Sequence, residues 1–156
     1  MKTLLPVLLA LIGSSIATLA ADPLAGKWKQ NAQLSGGGMH TDMTPPPMLE
    51  IEVSGENQAR IRTDRNPFVS YPLDGTQVDR TEGRNAGESQ GIKRLHPSVW
   101  EFHRKGNGKN MRGQNPGYDE DGYLTVSWDG KVLTWAVLRT YTDGQTIYYN
   151  RVFERQ

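Results

Sequence analysis

The stretch from Tyr123 to Arg155, YLTVSWDGKVLTWAVLRTYTDGQTIYYNRVFER, narrows most sharply what this chain can fold into. Three runs of apolar, aromatic and β-branched residues are separated by Ser127-Trp128-Asp129-Gly130 and by Thr142-Asp143-Gly144, and Asp-Gly between such runs is a strong local hairpin signal. The spacing predicts a meander of three antiparallel strands.

Its register can be argued from side chains, because a slip of one residue sends every side chain to the opposite face. A three-residue loop, Thr142 to Gly144 with Gly144 in the left-handed region, pairs Tyr141 with Gln145. One face then carries Leu133, Trp135, Val137, Arg139 and Tyr141 beside Ile147, Tyr149, Arg151, Phe153 and Arg155. A two-residue loop would mix the two sets, so this aromatic face is expected to point inward. In the first hairpin a two-residue Asp129-Gly130 loop places Leu124 and Val126 beside Trp135 and Leu133.

Met1-Lys2, the apolar run Leu4 to Ile12 and the small residues before Ala20-Ala21-Asp22-Pro23 have the layout of a cleaved secretory leader. Cleavage after Ala20 places Thr18 and Ala20 at the recognition positions, so residues 1–20 are expected to be the signal peptide and 21–156 a single barrel domain in a periplasm or outside the cell. No later apolar run approaches the roughly 20 residues that span a bilayer, and no Cys could carry a lipid anchor. Loss of Lys2 with the leader reduces 18 basic residues to 17, equal to the 17 acidic ones, so net charge recruits no partner. Without cysteine, sheet hydrogen bonding and burial must hold the exported domain together. Closure into a barrel, which removes exposed strand edges, is favoured for that reason.

Elsewhere strands are expected at Gly26 to Asn31, Met48 to Val53, Ala59 to Thr63, Phe68 to Leu73, and on either side of His96-Pro97-Ser98. A long loop spans Ala32 to Pro47, a short strand is expected near Met111, and Asn115 to Gly122 reads as a loop. Apolar residues at helical spacing are absent beyond the leader. The fold class is therefore all-β, an antiparallel up-and-down barrel of about eight to ten strands.

Gly87-Glu88-Ser89-Gln90-Gly91 matches the G-x-S-x-G nucleophile elbow, but neither an apolar strand before it nor a helical pattern after it is present. Met39, Met43 and Met48 share a loop with His40 and Asp42; an adaptable apolar flap is a plainer account than a copper site. Asp119-Glu120-Asp121-Gly122 lacks the closing Glu of a calcium loop and reads as an acidic turn. The basic residues between Arg80 and Arg112, Arg104 among them, read mostly as a solvated rim, and export argues against nucleic acid. No metal or other cofactor is expected.

Arg139 and Arg151 are more informative, because they share the inward face with Trp135, Tyr149 and Phe153. Unpaired charge there is costly, so an internal acid, water or an anionic ligand group must meet them. No Asp or Glu of the last two strands shares that face. Alternatively Arg139 reaches the rim and Arg151 stacks on Trp135.

Gly26-Lys27-Trp28, Tyr71-Pro72-Leu73-Asp74-Gly75, Asp129-Gly130-Lys131-Val132-Leu133-Thr134 and Val152-Phe153-Glu154-Arg155 together resemble small exported bacterial lipocalin-like proteins of the calycin kind, over most of the mature chain. The resemblance implies that Trp28 closes the barrel floor under Arg155, as a structural pair. It also implies a small apolar or amphipathic ligand. The chain departs from the family in having no disulfide, no C-terminal helix and Thr142-Asp143-Gly144 where Thr-Asp-Tyr would stand.

The expectation is a binding protein rather than an enzyme, taking a small hydrophobic or amphipathic ligand, including an anionic one, into the barrel. Trp135, Tyr149 and Phe153 would line the site and Arg139 or Arg151 would meet the charged end. The alternatives are a filled barrel acting through its surface, and a small hydrolase or isomerase using Ser89 or His103.

Overall fold

Alternation of a large apolar side chain with a polar one lets each run of this chain form a strand with one face buried. The computed structural model describes residues 22–37, 48–64, 66–81, 86–108 and 110–156. The leader expected over residues 1–20, and Met39, His40, Asp42 and Met43 of the expected methionine loop, lie outside them. Among the described residues every regular element is a strand: β1 Gly26–Gln30, β2 Gly36–Gly37, β3 Met48–Ser54, β4 Gln58–Thr63, β5 Val69–Pro72, β6 Val78–Asp79, β7 Ser89–His96, β8 Val99–Asn107, β9 Gly117–Val126, β10 Val132–Tyr141 and β11 Thr146–Arg155.

Consecutive strands pair antiparallel from β3 to β5 and from β6 to β11, and β1 joins the two sets by pairing with β3 on one side and β11 on the other. The order β5-β4-β3-β1-β11-β10-β9-β8-β7-β6 is an up-and-down, nearly closed barrel, with β2 added to β11 at Tyr149 and Asn150. Its seam lies between β5 and β6, the two ends of that order. The corner Leu73 to Gly75 fastens it: the Leu73 N–H donates to the Asn57 carbonyl, while the Leu73 carbonyl accepts from Arg94 N–H and Gly75 N–H donates to the Ile92 carbonyl.

The meander has the expected register. Tyr141 N–H donates to the Gln145 carbonyl at 2.8 Å, Gly144 has φ +85°, and Leu133, Trp135 and Val137 face Phe153, Arg151 and Tyr149. Leu133 and Trp135 also face Val126 and Leu124. The loop between those strands is longer than the expected Asp129-Gly130 pair. Ser127 N–H donates to the Val132 carbonyl, Gly130 N–H to the Ser127 carbonyl, and Gly130 takes the positive φ, so the chain turns at Trp128-Asp129. Both loops pair the same residues across the two strands, which is why the face assignment holds.

One expected loop is a strand. Asn115 to Gly122 has the composition of a loop, yet β9 begins at Gly117 and runs through Asp119-Glu120-Asp121-Gly122, while Met111 lies in a turn. Tyr118, Glu120, Gly122, Leu124 and Val126 alternate inward against exposed Asp119, Asp121 and Tyr123, so the period of two outweighs the turn-like composition. Gly122 is required for space: a Cβ there would sit 2.2 Å from the Ala136 carbonyl oxygen and 2.5 Å from a Phe102 ring carbon. Gly122→Ala is therefore expected to lower the unfolding free energy by about 1–3 kcal/mol, read by urea denaturation.

Strand ends Ser54, Pro72, His96 and Val126 gather at one end of the barrel with the N-terminal Asp22 to Ala25. Trp28 closes this floor. Its ring is fully buried, its Nε1–H donates to the Leu24 carbonyl at 3.0 Å, and the Arg155 guanidinium lies 4.1 Å from the ring centre. Trp28 and Arg155 are also register partners between β1 and β11.

Candidate functional site

The interior above this floor holds a charged cluster and a cavity beside it. β9 supplies the centre of the cluster. Glu120 is fully buried, and its Oε1 accepts from Arg139 Nε at 2.6 Å and from the Tyr149 hydroxyl at 2.8 Å. Oε2 accepts from Arg104 Nε at 2.7 Å and closely from Arg104 Nη2. Register puts these groups together, since Glu120 is the direct partner of Arg139 on β10 and of Arg104 on β8. Arg104 Nη1 also lies 3.5 Å from Glu88, which accepts from the Tyr118 hydroxyl at 2.7 Å. The Tyr118 ring lies 3.9 Å from the Arg139 guanidinium.

Two opposed effects set the charge states here. Burial pushes the Glu120 carboxyl up, but Arg104 and Arg139, with the Tyr149 hydroxyl, outweigh it and hold the carboxyl below its usual value of 4.5. Burial lowers the guanidinium values of Arg104 and Arg139, and the Glu120 carboxylate reverses this, leaving both raised. Tyr149 and Tyr118 are pushed well above 10, by burial first. The cluster is thus an ionised acid between two cations with neutral phenols around it.

The cavity adjoins this cluster at Arg104 and lies between the wall of β3, β4 and β5 and that of β7 to β10, with a volume of about 40 Å3. Leu49, Ile51, Ile61, Phe102 and Leu124 give it apolar walls, and Thr63, Tyr71, Arg80, Gln90, Arg104 and Trp135 add polar atoms. Arg80 and Arg104 are each 8% exposed, so the expectation of a solvated basic rim fails for these two. Arg104 follows Trp100 and Phe102 at period two, which carries it inside.

Among the five side chains expected to line a ligand site, Trp135 borders this cavity, making an edge contact with Phe102 at 5.4 Å between ring centres. Arg139 and Tyr149 are held by Glu120, and Phe153 is fully buried opposite Leu133. Arg151 donates to the carbonyls of Gly36 and Asn150 and lies 4.5 Å from the Tyr149 ring centre rather than stacking on Trp135. Burial pushes its pKa down. The acid that meets Arg139 comes from β9, outside the two strands whose sequence was compared.

Ser89 and His103 are diagonal neighbours on β7 and β8, where Ser89 pairs with Lys105 and Gly91 with His103, but their side chains have different partners. The Ser89 hydroxyl is 3.2 Å from Gln77 Oε1, whereas His103 Nδ1 is 2.6 Å from Asp121 Oδ1 and its Nε2 is 3.8 Å from Asp119, on the β9 side. Among the described residues no group of three or more His, Asp or Glu side chains is arranged to hold a metal ion.

No family model matches the chain, and no curated protein matches it.

Proposed function

We propose that this is an exported binding protein, resembling the lipocalin-like barrels, whose interior takes a small ligand with an apolar part and a polar or anionic end. The reading rests on the cavity itself: apolar side chains of β3, β4, β8 and β9 share it with buried Arg80 and Arg104 and part-buried Trp135. Binding pockets combine these two surfaces, apolar area for affinity and a few fixed polar groups for orientation. The Ser89 hydroxyl and the His103 ring are engaged with Gln77 and Asp121 rather than with each other, which favours binding over hydrolysis.

A ligand that binds only the folded state should raise the melting temperature, by about 2.7 kcal/mol of added stability at a hundredfold excess over Kd. The test is a thermal-shift screen of short and medium-chain acids, alcohols and amides against the protein and Ile61→Phe. Ile61 lines the cavity, so a ring there should fill it, retain the fold and abolish the shift. A shift that persists in Ile61→Phe would place the ligand elsewhere.

The interior also supports a second reading. The Glu120 cluster and the apolar core fill most of it and the cavity holds only about 40 Å3, as in a filled barrel that acts through its surface. It requires that no compound in the screen stabilise the protein.

A further inference from the structure

The Glu120 cluster satisfies its own charges and leaves Arg80 out. Arg80 follows β6, and its backbone is pinned where the chain enters β7: its N–H donates to the Glu88 carbonyl and its carbonyl accepts from Gly87 N–H, both at 2.8 Å. The side chain borders the cavity, and its Nε is buried without a hydrogen-bond partner. Among the described residues no carboxylate lies within ion-pair distance of its guanidinium. A second donor in the same cavity, Trp135 Nε1–H, is likewise buried without an acceptor.

A buried N–H with no partner is destabilising, and a buried charge more so. Two such donors on one cavity point to an absent acceptor. The surrounding charges give its sign: the buried cations Arg80, Arg104, Arg139 and Arg151 outnumber buried Glu120 and part-buried Glu88. Water could accept from either donor but would not offset that charge. A guanidinium and an indole N–H suit a planar oxyanion, and guanidinium with carboxylate is the strongest such match. With about 40 Å3, a few times the roughly 10–15 Å3 that one water needs, only a small group fits.

We propose that Arg80 and the Trp135 indole anchor a small monoanion of the carboxylate class, of acetate to propionate scale, with its alkyl end toward Leu49, Ile61 and Leu124. This rests on the binding reading above and names the group that the site recognises.

The test is a titration of the purified protein with acetate and propionate at constant ionic strength. Acetamide serves as the neutral isostere and inorganic phosphate as the multivalent anion. The readouts are the indole 15N–H resonances and the melting temperature. The resonance that disappears in Trp135→Phe should shift saturably with acetate and propionate. Acetamide and phosphate should leave it in place, and no compound should move the resonance of Trp100, which is buried without a partner but does not line the cavity. Arg80→Met should weaken carboxylate binding at least tenfold without lowering the ligand-free melting temperature, because it removes a buried charge that has no acid. A strong loss of stability in Arg80→Met, or its failure to fold, would assign Arg80 a structural role and overturn the proposal. Equal binding of acetamide and acetate would overturn the anion assignment and leave the binding reading standing. No response to any compound would sink both.

Discussion

Glu120→Ala is expected to cost the fold about 3–5 kcal/mol, a large share of the roughly 5–15 kcal/mol that stabilises a domain of this kind. The substitution leaves Arg104 and Arg139 buried with no carboxylate between them, and it takes the acceptor from the Tyr149 hydroxyl. Urea denaturation measures the loss. Removing all three charges at once should be much milder: Arg104→Met, Glu120→Leu and Arg139→Met combined should recover most of what Glu120→Ala loses, because an apolar core has no desolvation penalty to offset. The same cluster sets the pH range of stability. The folded-state value of Glu120 is depressed, so its contribution is complete above the ordinary carboxylate value of 4.5 and is lost as pH falls through the folded value. Tyr118 and Tyr149 have raised values, so they stabilise fully below 10 and lose that contribution as pH rises above it. Glu120→Leu in the triple variant should flatten the acid limb.

Trp28→Ala is expected to be comparably severe, at about 3–5 kcal/mol. The ring is fully buried between β3 and β11, where Leu49 and Arg155 are its register partners, so alanine opens a cavity under the whole core. It also leaves the Leu24 carbonyl without its indole donor. Arg155→Ala should cost far less, because the guanidinium is exposed and contributes mainly the stack on Trp28 and its bonds to the Pro23, Ala25 and Gly130 carbonyls. Equilibrium unfolding followed by tryptophan fluorescence and far-UV circular dichroism separates the two. A loss in Trp28→Ala no larger than in Arg155→Ala would contradict the floor assignment.

The all-β architecture and the meander's inward face were legible because Trp135, Tyr149 and Phe153 fall with Leu133, Val137 and Ile147 on one face at period two, and a wrong register would have mixed the faces. The site was legible only in part. Glu120 sits within Asp119-Glu120-Asp121-Gly122, whose composition reads as a turn, although extending the alternation of Leu124 and Val126 backward reaches Glu120 and Tyr118 on the same face. The same extension from Trp100 and Phe102 would have taken Arg104 inside. Arg80 carries no such signal, because β6 is two residues long and its side chain is placed by the fastening of the seam. The cavity could not be read either. Its walls come from strands on opposite sides of the barrel, and no local pattern states which interior positions meet across it.

Whether the interior recognises a small anion is decided by a high-resolution crystal structure of the protein, purified and crystallised without added carboxylate and then soaked in acetate. Planar density between Arg80 Nε and Trp135 Nε1, within hydrogen-bond distance of both, is the expected result. A cavity closed by its own side chains, with the Arg80 guanidinium turned out to solvent or paired to a carboxylate of the chain, would be the opposite result and would leave the barrel without its binding site.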